Sequence, residues 1–169
     1  LGARFDPAFT DGVSATTWYG GVAGLWRVSE DWSVFGRAST GVTQARAESG
    51  DLLRGADALV SSQFSIGIGR VGMFDRSDRL TLSVNQPLTV ERGALLFSLP
   101  TDFDVATDQI LFSDVRQPVG GAREIDFELG YSFAGVGGWR NQATVLHQSF
   151  VGGELGDATT LLLRTSRPF

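Results

Sequence analysis

The feature that most restricts this chain is an alternation of apolar and polar residues with a period of two, sustained over segments of 11–16 residues. In RLTLSVNQPLTVERG (79–93), Leu80, Leu82, Val84, Leu88 and Val90 share one parity, and Thr81, Ser83, Asn85 and Thr89 the other. Successive side chains of a strand point to opposite faces, so each such segment is a strand with one apolar and one polar face. Globular strands run about 5–6 residues, whereas a strand that crosses a bilayer at a tilt needs about 9–11. Length therefore turns the pattern into a question about solvent. The apolar face meets either a protein core or lipid.

The same pattern recurs along the chain. Val13–Val28 sets Trp18, Val22, Trp26 and Val28 on one face, and Ser29-Glu30-Asp31 joins it to Trp32–Thr43 as a hairpin. Residues 46–57 read as a charged, glycine-containing loop, in which Leu52-Leu53 could begin a helical turn. Leu59–Val71 sets Val60, Phe64, Ile66 and Ile68 against Ser61, Gln63, Ser65, Gly67 and Gly69. The turn Gly72–Asp78 leads into the segment quoted above, and Glu91-Arg92-Gly93 is expected to reverse the chain into Ala94–Leu99. The pattern dissolves after Pro100 and resumes at Gln109–Val115. Arg123–Phe133 alternates throughout, with Ile125, Phe127, Leu129, Tyr131 and Phe133 opposite Glu124, Asp126, Glu128 and Ser132. Trp139–Val151 and Ala158–Phe169 complete eight or nine strands. The expected fold class is all-β: an antiparallel up-and-down transmembrane β-barrel, or the carboxy-terminal 8–9 strands of one. Residues 13–169 form that domain, and residues 1–12 an extended lead-in or linker.

Which face is crowded separates a soluble barrel from a membrane one. A soluble barrel fills its interior with bulky apolar side chains, and a membrane barrel turns them outward and lines its lumen with polar and small residues. Here Arg37, Arg70, Asp126 and Glu128 stand among Ser, Thr and Gly on the polar face. With Glu124 they form an expected lumen charge network, in which opposite charges pair at lower desolvation cost than isolated ones. Leu80, Leu82, Val84, Ile125, Phe127 and Leu129 are then lipid-facing, and Trp18, Trp26, Trp32, Tyr131, Phe133 and Trp139 cluster toward strand ends as interfacial girdles do. All 14 basic residues are Arg, so the lysines that commonly protect soluble edge strands are missing. Pro87 lacks the N–H that a central ladder needs, which points to a bulge or an incompletely paired edge.

A net charge of −5 argues against nucleic acid as a partner. No apolar run approaches the ~20 residues of a membrane helix, so any crossing is done by strands. The chain begins at Leu1 with no charged and apolar leader behind it, the appearance of a processed or truncated chain. Zero cysteines and a single histidine leave no usual transition-metal site and no cofactor to expect. His147 has no second histidine and no glycine-flanked serine nucleophile with it, so a structural or lumen-facing role is expected and the chain itself is not expected to be an enzyme. The ladder Glu124, Asp126 and Glu128 could suggest paired acid chemistry, but partners for Arg37, Arg70 or Arg123 are the preferred reading.

At the carboxy terminus, Leu161, Leu163, Thr165 and Phe169 fall on one face. An amphipathic strand ending in an aromatic residue resembles the insertion signal that bacterial outer-membrane barrels present to the barrel-assembly machinery, although Arg167 and Pro168 depart from it. The succession LSVNQPLTVERGALLFSLP (82–100) followed by GAREIDFELGYSF (121–133) resembles the carboxy-terminal β-domain that follows subtilisin-type serine peptidase passengers in alphaproteobacterial autotransporters. There a QPLRVE-G strand, an LP exit and a GRELDFE-YS strand recur in that order. The resemblance covers roughly residues 14–169 and implies an outer-membrane translocator of type V secretion, with about twelve strands, that exports or tethers an amino-terminal passenger. Eight or nine strands make this chain the distal part of such a domain or a smaller relative. Outer-membrane lipid, the passenger and other envelope proteins are the partners implied. Two other readings stay open: a small barrel or cleaved remnant serving an envelope assembly, and a soluble β-barrel with an apolar ligand inside.

Overall fold

The computed structural model describes residues 13–47, 52–151 and 156–167. The expected lead-in 1–12 and the terminal Phe169 lie outside the described residues. Eight strands follow one another: β1 (Val13–Arg27), β2 (Trp32–Ala47), β3 (Leu53–Val71), β4 (Arg79–Asp104), β5 (Gln109–Val119), β6 (Arg123–Ala134), β7 (Arg140–Val151) and β8 (Ala158–Ser166). Among the described residues the remaining regular element is a 3-10 turn, Val136–Gly138. The strands form one sheet in the order β1-β2-β3-β4-β6-β7-β8, with β5 paired to β4. This is an all-β, antiparallel, up-and-down arrangement, as expected from the alternation and the short connections. The sheet is not closed: β1 and β8 end the strand path, and β5 pairs with β4 alone.

β4 departs from the sequence reading. Glu91-Arg92-Gly93 does not reverse the chain, and the strand continues for 26 residues from Arg79 to Asp104. A two-residue hairpin turn needs positive φ at its first central position, which Glu and Arg supply poorly. Gly93 serves close approach instead: a Cβ there would lie 2.4 Å from Leu59 Cδ2. The reversal falls at Val105–Asp108, where Asp104 accepts hydrogen bonds from the Ala106 N–H (2.9 Å) and the Thr107 hydroxyl (2.8 Å), and Asp108 takes φ +53°.

β4 pairs with β6 through Arg79–Asn85 and with β5 through Gly93–Asp104. Residues 86–92 belong to neither register, and Pro87 lies among them. The missing N–H thus falls where these two ladders are already interrupted. The loop expected over 46–57 shrinks as well, because β3 begins at Leu53, which is buried. Tertiary partners outweigh the loop-like composition there. The Ser98 N–H donates to the Leu52 carbonyl (2.8 Å), Arg116 pairs with Asp57 (2.7 Å), and Gly55 takes φ +147° against the Ala45 backbone.

The chain divides into two compact units. One contains Thr40–Ser61 and Val90–Gly121 with the chain up to Tyr19; the other contains Gly20–Ser39, Ser62–Thr89 and Ala122–Phe169. The first includes the β4–β5 hairpin, and the second includes β6, β7 and β8.

Burial runs opposite to that of a water-soluble core. Among the described residues the buried apolar side chains are Leu53 and Ala94, whereas Ser65, Asp78, Ser83, Gln86, Ser98 and Thr144 are buried polar ones. Leu82 is 52% exposed beside buried Ser83.

Candidate functional site

The second unit carries two faces of different chemistry, and cross-strand register defines both. Directly opposed residues of an antiparallel pair share a face. On one face lie the rows Arg79–Ser132–Gln142–Arg164, Thr81–Gly130–Thr144–Leu162, Ser83–Glu128–Leu146–Thr160 and Asn85–Asp126–Gln148–Ala158. The other carries Leu80–Tyr131–Ala143–Leu163, Leu82–Leu129–Val145–Leu161 and Val84–Phe127–His147–Thr159. One face is polar with arginines toward one end and carboxylates toward the other. The second is apolar and outward-looking, with Leu161 and Leu163 exposed on β8 and Phe127 and Leu129 exposed on β6.

Polar side chains link the strands on the polar face. Ser65 donates to the Asn85 amide oxygen, and Asn85 Nδ2 donates to Ser83 Oγ (3.3 Å); on the opposite face, by parity, Gln86 Nε2 donates to Ser62 Oγ (3.1 Å). Gln148 Nε2 donates to Glu124 Oε1 (2.6 Å), and one oxygen of Asp126, Oδ1, is buried without a hydrogen-bond partner among the described residues. Close packing uses absent side chains. A Cβ on Gly67 would lie 2.4 Å from Phe35 Cζ and 2.7 Å from the Leu82 carbonyl oxygen, so the Phe35 ring occupies the space over Gly67.

The structure distributes the expected charge network differently. Glu124, Asp126 and Glu128 share the polar face, half-buried, but among the described residues neither Arg37 nor Arg70 forms an ion pair with them. Arg37 is exposed. Arg70 leaves the polar face altogether: its guanidinium carbon sits 5.3 Å from the centre of the Trp32 ring. A Cβ on the preceding residue, Gly69, would approach Ser33 Oγ and Arg79, which assigns Gly69 to the polar face and Arg70 to the opposite one. Parity already carried this signal, since Arg70 continues the series Phe64, Ile66, Ile68.

His147 also lies off the polar face. It stands beside Phe127, ring centres 6.4 Å apart, with Nδ1 2.9 Å from the Thr159 hydroxyl. Among the described residues no three His, Asp or Glu side chains converge as metal ligands would.

Two features escaped sequence reasoning. The first is the β3–β4 turn, where Asp78 is completely enclosed. Its Oδ1 accepts from the Met73 N–H (2.7 Å), and its Oδ2 accepts from the Phe74 N–H (2.8 Å), the Asp75 N–H (3.0 Å) and the Tyr131 hydroxyl (2.9 Å). Burial pushes the carboxyl pKa up, but these hydrogen bonds to the charged form outweigh it and hold the group below its ordinary value. The second is the part that Phe74 and Arg167 play among the rings expected at strand ends. Phe74 meets Tyr131 edge-on at 5.8 Å, Tyr131 stacks on Phe133 at 5.6 Å, and Arg167 lies 6.0 Å over Trp139 as Arg70 does over Trp32. Only the folded sheet brings these residues together.

Fold and face chemistry together define a class: an antiparallel sheet that covers its polar side chains and presents its apolar ones. No known family model, curated protein or solved structure matches the chain.

Proposed function

We propose that this chain is the β-domain of a bacterial outer-membrane protein, a type V secretion translocator or anchor that spans the membrane and exports or tethers an amino-terminal passenger. One observation carries the membrane half of this reading: polar residues are the buried ones and large apolar residues the exposed ones. In water, a face bearing Leu82, Phe127, Leu129, Leu161 and Leu163, each exposed, is the kind of contiguous apolar surface that soluble monomers rarely present. In a bilayer the same face meets hydrocarbon at no such cost. A soluble barrel with an apolar ligand inside would require the opposite inversion.

The secretion half rests on the motif succession over 82–100 and 121–133. The turns between β1 and β2, β3 and β4, and β6 and β7 fall at one end of the strands, where β8 also ends. Closure, by β1 meeting β8 or by further strands, is the step this reading requires. Outer-membrane lipid, the barrel-assembly machinery and a passenger are the partners.

Expression of the full chain behind an outer-membrane targeting signal tests the reading. Recovery in the outer-membrane fraction, a need for detergent in extraction and a change of gel mobility on heating are expected. A monodisperse monomer in buffer without detergent overturns it. A barrel that inserts but leaves a fused reporter passenger inaccessible to protease on intact cells removes secretion and leaves the small structural barrel.

A further inference from the structure

We infer that the outward face of β1, β2 and β3 holds a bound diacyl glycerophospholipid, its phosphate on Arg70 and one acyl chain in a neighbouring apolar trough; the inference rests on the membrane reading above. The trough is a cavity of about 550 Å³ lined by Val22, Gly24, Gly36, Ala38, Phe64 and Ile66. Its floor is low because two strands carry glycine: a Cβ on Gly24 would meet nothing within 4 Å, and one on Gly36 only the Ser65 carbonyl at 3.5 Å. Val22 and Ile66 stand exposed at its sides.

Arg70 supplies the polar end. Its guanidinium lies on the Trp32 face, and its Nε is buried without a hydrogen-bond partner among the described residues. No carboxylate among them forms an ion pair with it. A guanidinium left without a carboxylate partner on an apolar face is costly, and a phosphate oxygen is the acceptor whose geometry best matches the guanidinium fork. The Trp32 ring, 5.3 Å from the guanidinium carbon, holds the cation at this end of the trough.

The spacing fits one molecule. Gly36 lies four residues along β2 from Trp32, and Ile66 four residues along β3 from Arg70. At about 3.3 Å per residue the trough is centred ~13 Å from the arginine. An acyl chain reaches about 15 Å, half the hydrocarbon thickness. Charge at one end and an apolar channel at chain length from it are complementary to a phospholipid, and to neither a free anion nor a hydrocarbon alone.

The test titrates the full chain in dodecyl maltoside micelles with phosphatidylethanolamine carrying a dibrominated acyl chain, reading quenching of tryptophan emission. Brominated diacylglycerol, which has the chains but no phosphate, is the control. Saturable quenching by the phospholipid is expected, with diacylglycerol at least tenfold weaker. Arg70→Gln should raise the half-saturation concentration at least tenfold, and Ala38→Phe, which fills the trough and leaves Arg70 in place, should do so independently. Equal, unsaturable quenching by both lipids, or indifference to both substitutions in chains that keep heat-modifiable mobility, overturns the site. Displacement by lipopolysaccharide but not by unlabelled phospholipid overturns it too. Failure of the wild-type chain to associate with detergent or bilayer at all overturns the membrane reading itself, so the two failures are distinguishable.

Discussion

The hydroxyl of Tyr131 donates to Oδ2 of Asp78 across 53 residues of sequence, at 2.9 Å. This bond ties the β3–β4 turn to β6, the strand that pairs with the start of β4. Asp78 also collects three consecutive backbone N–H groups from Met73 to Asp75 that the turn would otherwise leave unpaired. A single carboxylate thus closes the turn and anchors it to the sheet.

The turn should therefore loosen in acid. The folded pKa of Asp78 is lowered, so its contribution is present above the unfolded value of about 3.9 and is lost as pH falls through the lower folded value. Amide exchange at Met73, Phe74 and Asp75 is expected to accelerate relative to the strand interiors below about pH 4. Asp78→Asn should give the fast exchange already at pH 7, and Tyr131→Phe a smaller increase. Unchanged protection in Asp78→Asn would contradict the role assigned to the carboxylate.

Gly67 is expected to be intolerant of any side chain. Its Cβ position lies 2.4 Å from Phe35 Cζ and 2.7 Å from the Leu82 carbonyl oxygen, below any normal contact. Gly67→Ala should destabilise by about 1–3 kcal/mol, as overpacking does. Adding Phe35→Ala should recover only part of the loss, because the backbone oxygen stays in place. Full recovery, or none, in the double-mutant cycle would show that one of these two contacts is not the cause.

Leu82 distinguishes lipid from water directly. It is half exposed and paired with Leu129 on the apolar face. In water, Leu82→Arg at such a site should change stability by no more than about 0.5 kcal/mol. In a bilayer the same substitution should cost about 2–4 kcal/mol near the midplane. Reversible unfolding from vesicles reads the difference, and a change within the smaller range excludes lipid contact at this position.

The Arg116–Asp57 pair tests a different expectation. Its distance is short, 2.7 Å, yet its side chains are 63% and 43% exposed. Asp57→Asn should cost at most about 1 kcal/mol, and less in high salt, because solvent screens the pair. A larger loss would mean that Asp57 acts through something other than this ion pair.

Much of the sheet was legible because a strand is a local pattern. Alternation over 123–133 locates β6 to within a residue of Arg123–Ala134, and 139–151 locates β7 nearly as well. Ends of strands were less legible where partners, rather than composition, decide. Residues 53–58 look like loop, yet they are strand because the Ala45, Ser98 and Arg116 segments supply the partners. Glu91-Arg92-Gly93 looks like a reversal, yet Gly93 yields room to Leu59 while the strand runs on. Arg70 followed the parity of its own strand, and reading it as a polar-face residue put side-chain chemistry ahead of geometry.

By itself the sequence determined that the chain forms long strands with one apolar and one polar face, since period two is a property of the backbone and needs no partner. It also determined where most strands lie and which residues share a face. Only the tertiary structure decided that the polar face is the covered one, that Pro87 falls between two ladders, that Asp78 is capped by a tyrosine from a distant strand, and that Arg70 rests on Trp32. Each of these depends on register between segments far apart in the chain. Register is set by packing and by turn geometry, and neither is written in any one segment.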